Sequence, residues 1–497
     1  MARRAGGGPR RLDHRRGAGF ARPPGVLVGD AGADPRDDAA RDGDGAHARP
    51  RAARGLGRLA APAQAAAGVH PPARGGRRPR RALARRRGRA QHVALPGRGG
   101  GASGHRRDRA RDGAAGRRPL PLRRRRAVRG DPRRLGGLTT VRLTLRHELV
   151  ELAFRDPFRI ARALDTSHAR TVIVELTSDA WPGHTGLGEG FPDAYYGETP
   201  ETMAAVFPLL CRAIERVAVD ARSLDAARAS LEAADRAMDA ALGHNGAAKC
   251  AVDIALHDLV AKQLGVPLYE LLGTSPELPP TDFTIGIDEP AIVAERAARA
   301  ARFPALKIKL GGAHDLETLE AVRAVYGGPI RVDANTGWEP EEGASLLPDL
   351  VRLGVELIEQ PFPAHRLDQL AWLQERSPLP IVADESAVTI DDLDRLVGVV
   401  GGVNVKLAKC GGVGPAKRML ERARELGFRR FLGCMEETSL GIAASAAVAS
   451  LADWIDLDGC LLLADDPFAG LELDGASRWM LPRTPGVGVT RRDAAPA

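Results

Sequence analysis

Residues 305–334 read ALKIKLGGAHDLETLEAVRAVYGGPIRVDA, a short apolar segment followed by a helical stretch and a second short apolar segment. Each apolar segment ends close to a charged residue, Lys309 in the first and Asp333 in the second. This alternation predicts consecutive βα units, in which a helix returns the chain to the same edge of a parallel sheet after each strand.

The same pattern continues along the chain to residue 458. Five further apolar segments follow, at residues 355–360, 381–386, 403–407, 431–436 and 454–458. The charged residues near the segment ends succeed one another at intervals of 20 to 30 residues: Lys309, Asp333, Glu359, Asp384, Lys406, Glu436 and Asp456. Six or more units of this period favour an α/β fold closed as a TIM-like (β/α) barrel over an open doubly wound sheet.

The residues before this repeat have a different organisation. Strand-like segments at 141–145 and 171–176 precede helical patterns at 200–217 and 247–264, which is typical of an α+β domain. We expect residues 139–273 to form this domain, residues 274–467 to form the barrel with the active site, and residues 468–497 to pack back on the α+β domain.

Charge divides the chain into two parts. Residues 1–138 contain 36 Arg and 10 Asp without any Lys or Glu, which gives a formal charge of +26. The remaining residues contain 36 Lys and Arg against 53 Asp and Glu, which gives −17. The whole-chain charge of +9 therefore describes neither part.

Residues 1–138 are predicted to be disordered, because they hold few large apolar side chains and much like charge. Arginine runs such as Arg123 to Arg126 could bind nucleic acid through phosphate charge alone. Since Ala, Gly, Arg and Pro have GC-rich codons, we favour a GC-rich stretch translated upstream of the true start or out of frame over a nucleic-acid-binding arm.

Cysteine usage and hydropathy predict a cytoplasmic protein without a membrane span. The five cysteines form no C-x-x-C pair, so reduced thiols are expected. The longest apolar stretch after residue 139, residues 440–452, is short of the roughly 20 residues that a transmembrane helix needs.

Three of the strand-end charges are carboxylates on adjacent units, namely Asp333, Glu359 and Asp384. The carboxyl ends of barrel strands converge on one cavity, so these side chains should meet there. Three carboxylates in one place repel one another unless a cation lies among them, and a hard divalent ion, Mg²⁺ above all, prefers oxygen ligands.

Lysines flank the carboxylates in strand order. Lys307 and Lys309 come before them and should point to the same side of their strand, whereas Lys406 comes after them. Two ammonium groups so close should each lower the pKa of the other, as a lysine general base requires. Lys409 is predicted to lie in a loop.

The ordered motifs resemble the enolase superfamily in its muconate-lactonizing-enzyme-like subgroup. They are KIK at 307–309, DAN at 333–335, EQP at 359–361, DES at 384–386 and NVK at 404–406. Two further motifs, GCMEET at 433–438 and DLDG at 456–459, are similar to segments of dipeptide epimerases within that superfamily. The absence of His from residues 431–437 argues against the mandelate-racemase-like subgroup.

The resemblance implies a capping domain whose loops, at 156–162 and 188–198, close over the barrel mouth. It also implies that Asp333, Glu359 and Asp384 hold Mg²⁺, which stabilises an enediolate. Lys309 and Lys406 would stand on opposite faces of that intermediate, one removing the α-proton and the other returning one, with Lys307 supplying positive charge.

The substrate side chains are less defined by the resemblance. In the dipeptide epimerases the D-x-D motif holds the free α-ammonium of a dipeptide, which assigns that role to Asp456 and Asp458. Arg162 or Arg159 could pair with an acidic side chain, whereas Glu436 or Glu437 could favour a cationic one.

We expect a Mg²⁺-dependent epimerase that inverts the C-terminal residue of a dipeptide, with an L-Ala-D/L-Glu substrate as the default. The nearest alternative is an N-succinylamino-acid racemase or o-succinylbenzoate synthase, whose substrates lack the ammonium that Asp456 and Asp458 would bind. A nucleic-acid-binding protein and a barrel that binds without catalysis are the alternatives from other classes, and a homo-oligomer stays open.

Overall fold

The computed structural model describes residues 141–162 and 167–492. Residues 1–138, which the sequence analysis predicts to be disordered and to arise from translation upstream of the true start or out of frame, lie outside the described residues. Within them, no helix is long and apolar enough to cross a membrane.

The first domain begins with an antiparallel sheet of three strands in the order β1-β2-β3. They are β1 (Leu143–Ala153), β2 (His168–Ser178) and β3 (Gly186–Gly190). Four helices follow: α1 (Pro200–Ile214), α2 (Leu224–Ala241), α3 (Gly246–Leu264) and α4 (Leu268–Leu272). The sequence analysis missed α2 and assigned residues 188–190 to a loop, although they belong to β3.

Glycines explain why β3 forms despite its low strand propensity. A Cβ atom at Gly186, Gly188 or Gly190 would lie 2.0 to 2.2 Å from backbone carbonyl oxygens of α3. Every second residue of the strand therefore faces the helix backbone, and only glycine permits that approach.

The second domain is a sheet of eight parallel strands in sequential order. The strands are β4 (Phe283–Ile285), β5 (Leu306–Lys309), β6 (Ile330–Asp333), β7 (Val355–Glu359), β8 (Ile381–Ala383), β9 (Gly402–Val405), β10 (Arg429–Gly433) and β11 (Trp454–Asp456). A parallel bridge between Thr281 and Ile455 joins the two ends of the sheet. The predicted barrel is confirmed, and the sequence analysis missed only its first strand, β4, which has no charged residue at its end.

Helices alternate with the barrel strands, and α5, α7, α8 and α11 pack against neighbouring strands, whereas α10 packs against α3 of the first domain. They are α5 (Pro290–Arg299), α6 (Asp315–Val325), α7 (Pro340–Arg352), α8 (Leu367–Gln374), α9 (Leu393–Leu396), α10 (Leu407–Cys410), α11 (Val413–Glu425), α12 (Ser439–Ala446) and α13 (Gly459–Leu462). The helix α10 contains Lys409, so its prediction as a loop residue is wrong.

The C-terminal residues contact both domains. Strand β12 (Phe468–Ala469) pairs with β15 (Thr490–Arg491), and β13 (Glu472–Leu473) pairs with β14 (Trp479–Met480). The Val487 amide donates to Asp258 Oδ1 of α3 at 2.7 Å, and Trp479 Nε1 donates to the Leu457 carbonyl beside β11 at 2.8 Å.

A buried cluster of charges, here called the interface cluster, joins α2 and α3 to α11. It consists of Asp235, Asp253, His257 and Arg418. The carboxylate of Asp253 lies 3.1 Å from His257 Nδ1 and accepts the Val413 amide at 2.6 Å, while Arg418 Nη1 lies 2.9 Å from Asp235 Oδ2. Burial opposes charge on His257, but Asp253 outweighs it and raises the pKa of His257 to about 9. The cluster thus fixes the first domain to the N-terminal half of α11.

Candidate active site

The carboxyl ends of the barrel strands bring the predicted charges into one region. The Cα atoms of Lys309 and Asp333 are register partners between β5 and β6, and those of Asp333 and Glu359 are partners between β6 and β7. Lys309, Asp384 and Lys406 border a cavity of about 590 Å³ that residues of the first domain also line, whereas Asp333 and Glu359 are not among its lining residues.

The two lysines predicted to exchange protons lie far apart around the barrel. Lys309 ends β5 and Lys406 follows β9, four strands away in the sheet of eight, so the two side chains enter the cavity from opposite sides. Lys309 Nζ lies 2.7 Å from Asp333 Oδ2, and Lys406 Nζ lies 2.9 Å from Asp384 Oδ2. Burial opposes the charge of Lys406, but Asp384 outweighs it and raises the pKa of Lys406.

Lys307 is buried among three carboxylates. Its Nζ lies 2.8 Å from Asp456 Oδ2, 2.9 Å from Glu359 Oε2 and 3.3 Å from Asp333 Oδ2. Burial acts against the ammonium, yet these carboxylates outweigh it and raise the pKa of Lys307 well above its ordinary value. The predicted lowering of the pKa of Lys307 by its lysine neighbour is therefore wrong, because opposite charges lie closer.

The three expected metal ligands have the chemistry that Mg²⁺ requires. Asn404 Nδ2 donates to Glu359 Oε1 at 2.7 Å, whereas the buried Glu359 Oε2 has only the ion pair with Lys307 among the described residues. Within the described residues, no group of three acidic, histidine or cysteine side chains is arranged closely enough to hold a metal ion in the present conformation. The carboxylate oxygens of Asp333, Glu359 and Asp384 are of the type that a hard cation prefers. The Lys307 ammonium lies between Asp333 and Glu359, and it would have to move before all three carboxylates could bind one metal ion.

Electrostatics distinguish the three carboxylates. Burial and then the charge of Asp333 raise the pKa of Glu359 to about 7. Burial also acts to raise the pKa of Asp384, but Lys406 and Lys409 outweigh it and hold that pKa below its ordinary value. A divalent cation would favour the ionised form of Glu359, which the protein alone disfavours.

The two aspartates of the D-x-D motif bind a residue that sequence analysis missed, Thr284 of β4. Asp456 Oδ1 accepts from Thr284 Oγ1 at 2.8 Å, and Asp458 Oδ2 accepts from the Thr284 amide at 2.6 Å. All three residues line the cavity. The alternation of Phe283, Thr284 and Ile285 was a strand signal that could have revealed this position.

Lys409 is the second residue whose place the sequence analysis missed. Its buried Nζ donates to Asp384 Oδ1 at 2.5 Å and to the carbonyl oxygens of Asp384, Asn404 and Ala387 at 2.6, 2.9 and 3.0 Å. The ammonium therefore orients the Asp384 carboxylate and leaves its other oxygen toward Lys406. Lys406 is extended and precedes the short helix α10, so the spacing of the two lysines gave no local signal for this position.

The loops of the first domain form the remaining wall. Phe158, Ile160 and Arg162 line the cavity from one loop, and residues 191–196 line it from the other. Glu436 lines it from the barrel side, but Arg159 and Glu437 are not among the residues around this cavity. Glu437 is instead buried beside Glu189 of β3. Burial is the larger cause that raises the pKa of Glu437, and the charge of Glu189 is the second.

Fold and site together define an enolase-like barrel protein with a capping domain. The family description "Mandelate racemase / muconate lactonizing enzyme, N-terminal domain" matches residues 141–273, and "Enolase C-terminal domain-like" matches residues 291–495. The chain belongs to the mandelate racemase / muconate lactonizing enzyme family of the enolase superfamily, which confirms the resemblance seen in the motifs.

Individual relatives share most of their length with this chain. The L-Ala-D/L-Glu epimerase of Bacteroides thetaiotaomicron is 38% identical over 345 residues, which are 69% of this chain and 86% of that protein. The crystal structure of an Enterococcus faecalis dipeptide epimerase, complexed with Mg and L-Leu-L-Tyr, has a TM-score of 0.64 and 29% identity over 71% of this chain and 100% of that one. The dipeptide epimerase of Methylococcus capsulatus, complexed with Mg and L-Arg-D-Lys, has a TM-score of 0.60 and 32% identity over 70% of this chain and 98% of that one.

Proposed function

We propose that this protein is a Mg²⁺-dependent dipeptide epimerase that inverts the α-carbon of the C-terminal residue. One observation carries the proposal: two lysines, Lys309 and Lys406, enter one buried cavity from opposite sides, and a substrate α-carbon between them would be reachable on both faces. The epimerases among the relatives support the same reaction.

Asp333, Glu359 and Asp384 are the residues that would hold the metal. When bound, Mg²⁺ supplies positive charge for the carboxylate of the substrate, whose α-proton is otherwise too weakly acidic to be removed. Asn404 and Lys409 orient two of these ligands through the hydrogen bonds described above.

The lysines carry out the proton transfers. One Nζ removes the α-proton from one face, and the Nζ of the other lysine donates a proton to the opposite face, which inverts the centre. Lys307 stays an ammonium because of its three carboxylate neighbours, and it places positive charge beside the reacting carboxylate.

Asp456 and Asp458 would bind the α-ammonium of the dipeptide. Their carboxylates are buried at the cavity wall and orient each other through Thr284. An N-succinylated substrate carries an anionic acyl group at this position, so two carboxylates there disfavour it. The five free cysteines support a reducing, cytoplasmic location.

The test is α-proton exchange in D₂O with Mg²⁺ and a set of L,L-dipeptides, followed by mass spectrometry. We expect exchange and inversion in the wild type, and a loss of about 10²- to 10⁴-fold in Lys309→Ala and in Lys406→Ala. Lys417→Ala, which removes a half-exposed lysine of α11, is the control and should keep the wild-type rate.

Absence of exchange with every dipeptide, in protein that circular dichroism shows to be folded, would contradict the proposal. So would N-succinylamino acids reacting faster than the dipeptides. Exchange that survives the double variant Lys309→Ala, Lys406→Ala would refute the two-lysine mechanism.

A further inference from the structure

Arg162 is the cavity cation that could have bound an acidic substrate side chain, and its bonds are already taken. Its guanidinium donates to the carboxylate of Glu385, whose side chain is fully buried, and to the Asn335 carbonyl at 3.4 Å. It also lies 4.3 Å from the centre of the Tyr195 ring. A substrate carboxylate that captured Arg162 would leave Glu385 buried without its cation, which is costly.

Glu436 is in the opposite situation. It is half-buried at the cavity wall, and its carboxylate forms no ion pair with any described residue. Burial raises the pKa of Glu436, against the lowering effects of Lys309 and Lys406, and Asp193 on the facing loop of the first domain adds to the raising effect. Asp193 also lines the cavity, so two carboxylates border the same space without a cation of their own.

The other charged groups of the cavity wall do not change this balance. Glu198 is occupied by the amides of Ala247 and Ala248, at 2.9 and 3.0 Å. Arg170 and His168 lie on β2 and are exposed to solvent, which screens their charge. Lys309 and Lys406 also line the cavity, but they are paired with Asp333 and Asp384 at 2.7 and 2.9 Å. Among the described residues, Glu436 is thus a cavity carboxylate without an ion pair, whereas these lysines and Arg162 already have carboxylate partners.

The neighbours of Glu436 show which part of a dipeptide it would meet. Glu436 follows β10, which pairs with β9, the strand that ends just before Lys406. The charges of Lys309 and Lys406, the two lysines that would flank the reacting carbon, both act on Glu436. Glu436 thus stands beside the residue that is inverted.

We infer that the epimerised C-terminal residue of the substrate carries a cationic side chain, bound by Glu436 with Asp193 across the cavity. This inference rests on the proposed function and replaces the L-Ala-D/L-Glu default of the sequence analysis. A lysine or arginine side chain would give Glu436 the charged hydrogen bond that it lacks.

The test compares kcat/KM for four dipeptides: L-Ala-L-Lys, L-Ala-L-norleucine, L-Ala-L-Glu and L-Lys-L-Ala. Norleucine has the length of lysine without its charge. We expect L-Ala-L-Lys to exceed L-Ala-L-norleucine by about 10- to 100-fold, the effect of one charged hydrogen bond, and to exceed L-Ala-L-Glu by more.

Glu436→Gln should bring the ratio of L-Ala-L-Lys to L-Ala-L-norleucine close to one, and Asp193→Asn should lower it less. Using a ratio within each variant removes differences in folding or total activity. Glu472→Gln, on the exposed strand β13, is the matched control and should keep the wild-type ratio.

A preference for L-Ala-L-Glu, L-Ala-L-norleucine or L-Lys-L-Ala would overturn the inference and leave the epimerase assignment intact. An unchanged ratio in Glu436→Gln would overturn it as well. Failure of all dipeptides to react would instead strike the proposed function itself.

Discussion

Two clusters of charged side chains in this protein combine carboxylates with cationic groups but serve different purposes. One lies at the barrel mouth and is here called the site cluster, and the other is the interface cluster. At the barrel mouth, lysines and carboxylates border a cavity of about 590 Å³. In the interface cluster, Asp253, His257, Asp235 and Arg418 bind one another and the backbone of α11. The first cluster borders a cavity large enough for a ligand, whereas the second joins two domains.

Lys409 tests whether part of the site cluster is structural. Lys409→Met should lower the free energy of unfolding by about 3–5 kcal/mol, because Asp384 and three carbonyl groups lose a buried cation. Urea denaturation measures the change. Lys417→Met, which breaks a partly exposed pair with Glu421, should cost about 0–1 kcal/mol.

The same Lys409→Met protein should bind Mn²⁺, used as a paramagnetic substitute for Mg²⁺, more weakly than wild type in an EPR titration. If Lys409→Met were as stable as the wild type, the four hydrogen bonds of Lys409 would add nothing to the free energy of unfolding. The two clusters would then differ in their contribution to stability as well.

The interface cluster predicts a pH dependence. The pKa of His257 is about 9 in the folded protein against an ordinary 6.5, so folding favours its protonated form. This contribution, about 3 kcal/mol, should be complete below about pH 6.5 and disappear as the pH rises through 9. Urea midpoints between pH 6 and 10 measure it.

His257→Gln should remove most of this slope, whereas His365→Gln, at an exposed histidine, should retain it. An identical slope in wild type and His257→Gln would show that the charge of His257 does not hold the domains together.

Thr284→Val should have a smaller effect, confined to the site. The substitution keeps the shape of the side chain and removes the hydroxyl that donates to Asp456 Oδ1. We expect KM for the dipeptide to rise about 10-fold, since one hydrogen bond to a charged group is lost. Thr177→Val, on the exposed face of β2, should leave KM unchanged. A fall in kcat at constant KM would place Thr284 in the chemical step instead.

Removal of residues 1–138 should have no measurable effect, because none of the residues in either cluster belongs to that segment. A chain beginning at Thr139 is expected to match the full chain in urea midpoint and epimerase rate. Loss of either property would contradict this. Salt-dependent DNA retention by the full chain, but not by the shorter one, would support the nucleic-acid alternative for that segment.

The sequence predicted the strand ends well because a charged residue closing an apolar segment is a local signal. Asp333, Glu359 and Lys406 all lie where a strand of the barrel ends or one residue beyond it. The strand β4 ends on Ile285 and carried no such signal.

The state of the site residues could not be predicted, because it depends on contacts between distant parts of the chain. The raised pKa of Lys307 comes from Asp456, which is 149 residues away, and the pairing of Arg162 comes from Glu385, which is 223 residues away. Lys409 was likewise predicted as a loop residue, since nothing near it in sequence shows that Asp384 and three carbonyl oxygens surround its ammonium.

The closure of the barrel limits how this protein could evolve. Between β4 and β11 a single bridge joins Thr281 to Ile455, and beyond it the carboxylates of Asp456 and Asp458 hold Thr284 in place of further strand pairing. A substitution in the D-x-D motif would remove these contacts with Thr284 and, under the proposed function, would also weaken binding of the dipeptide ammonium. New substrate preferences should therefore accumulate at Glu436, whose carboxylate forms no ion pair with a described residue.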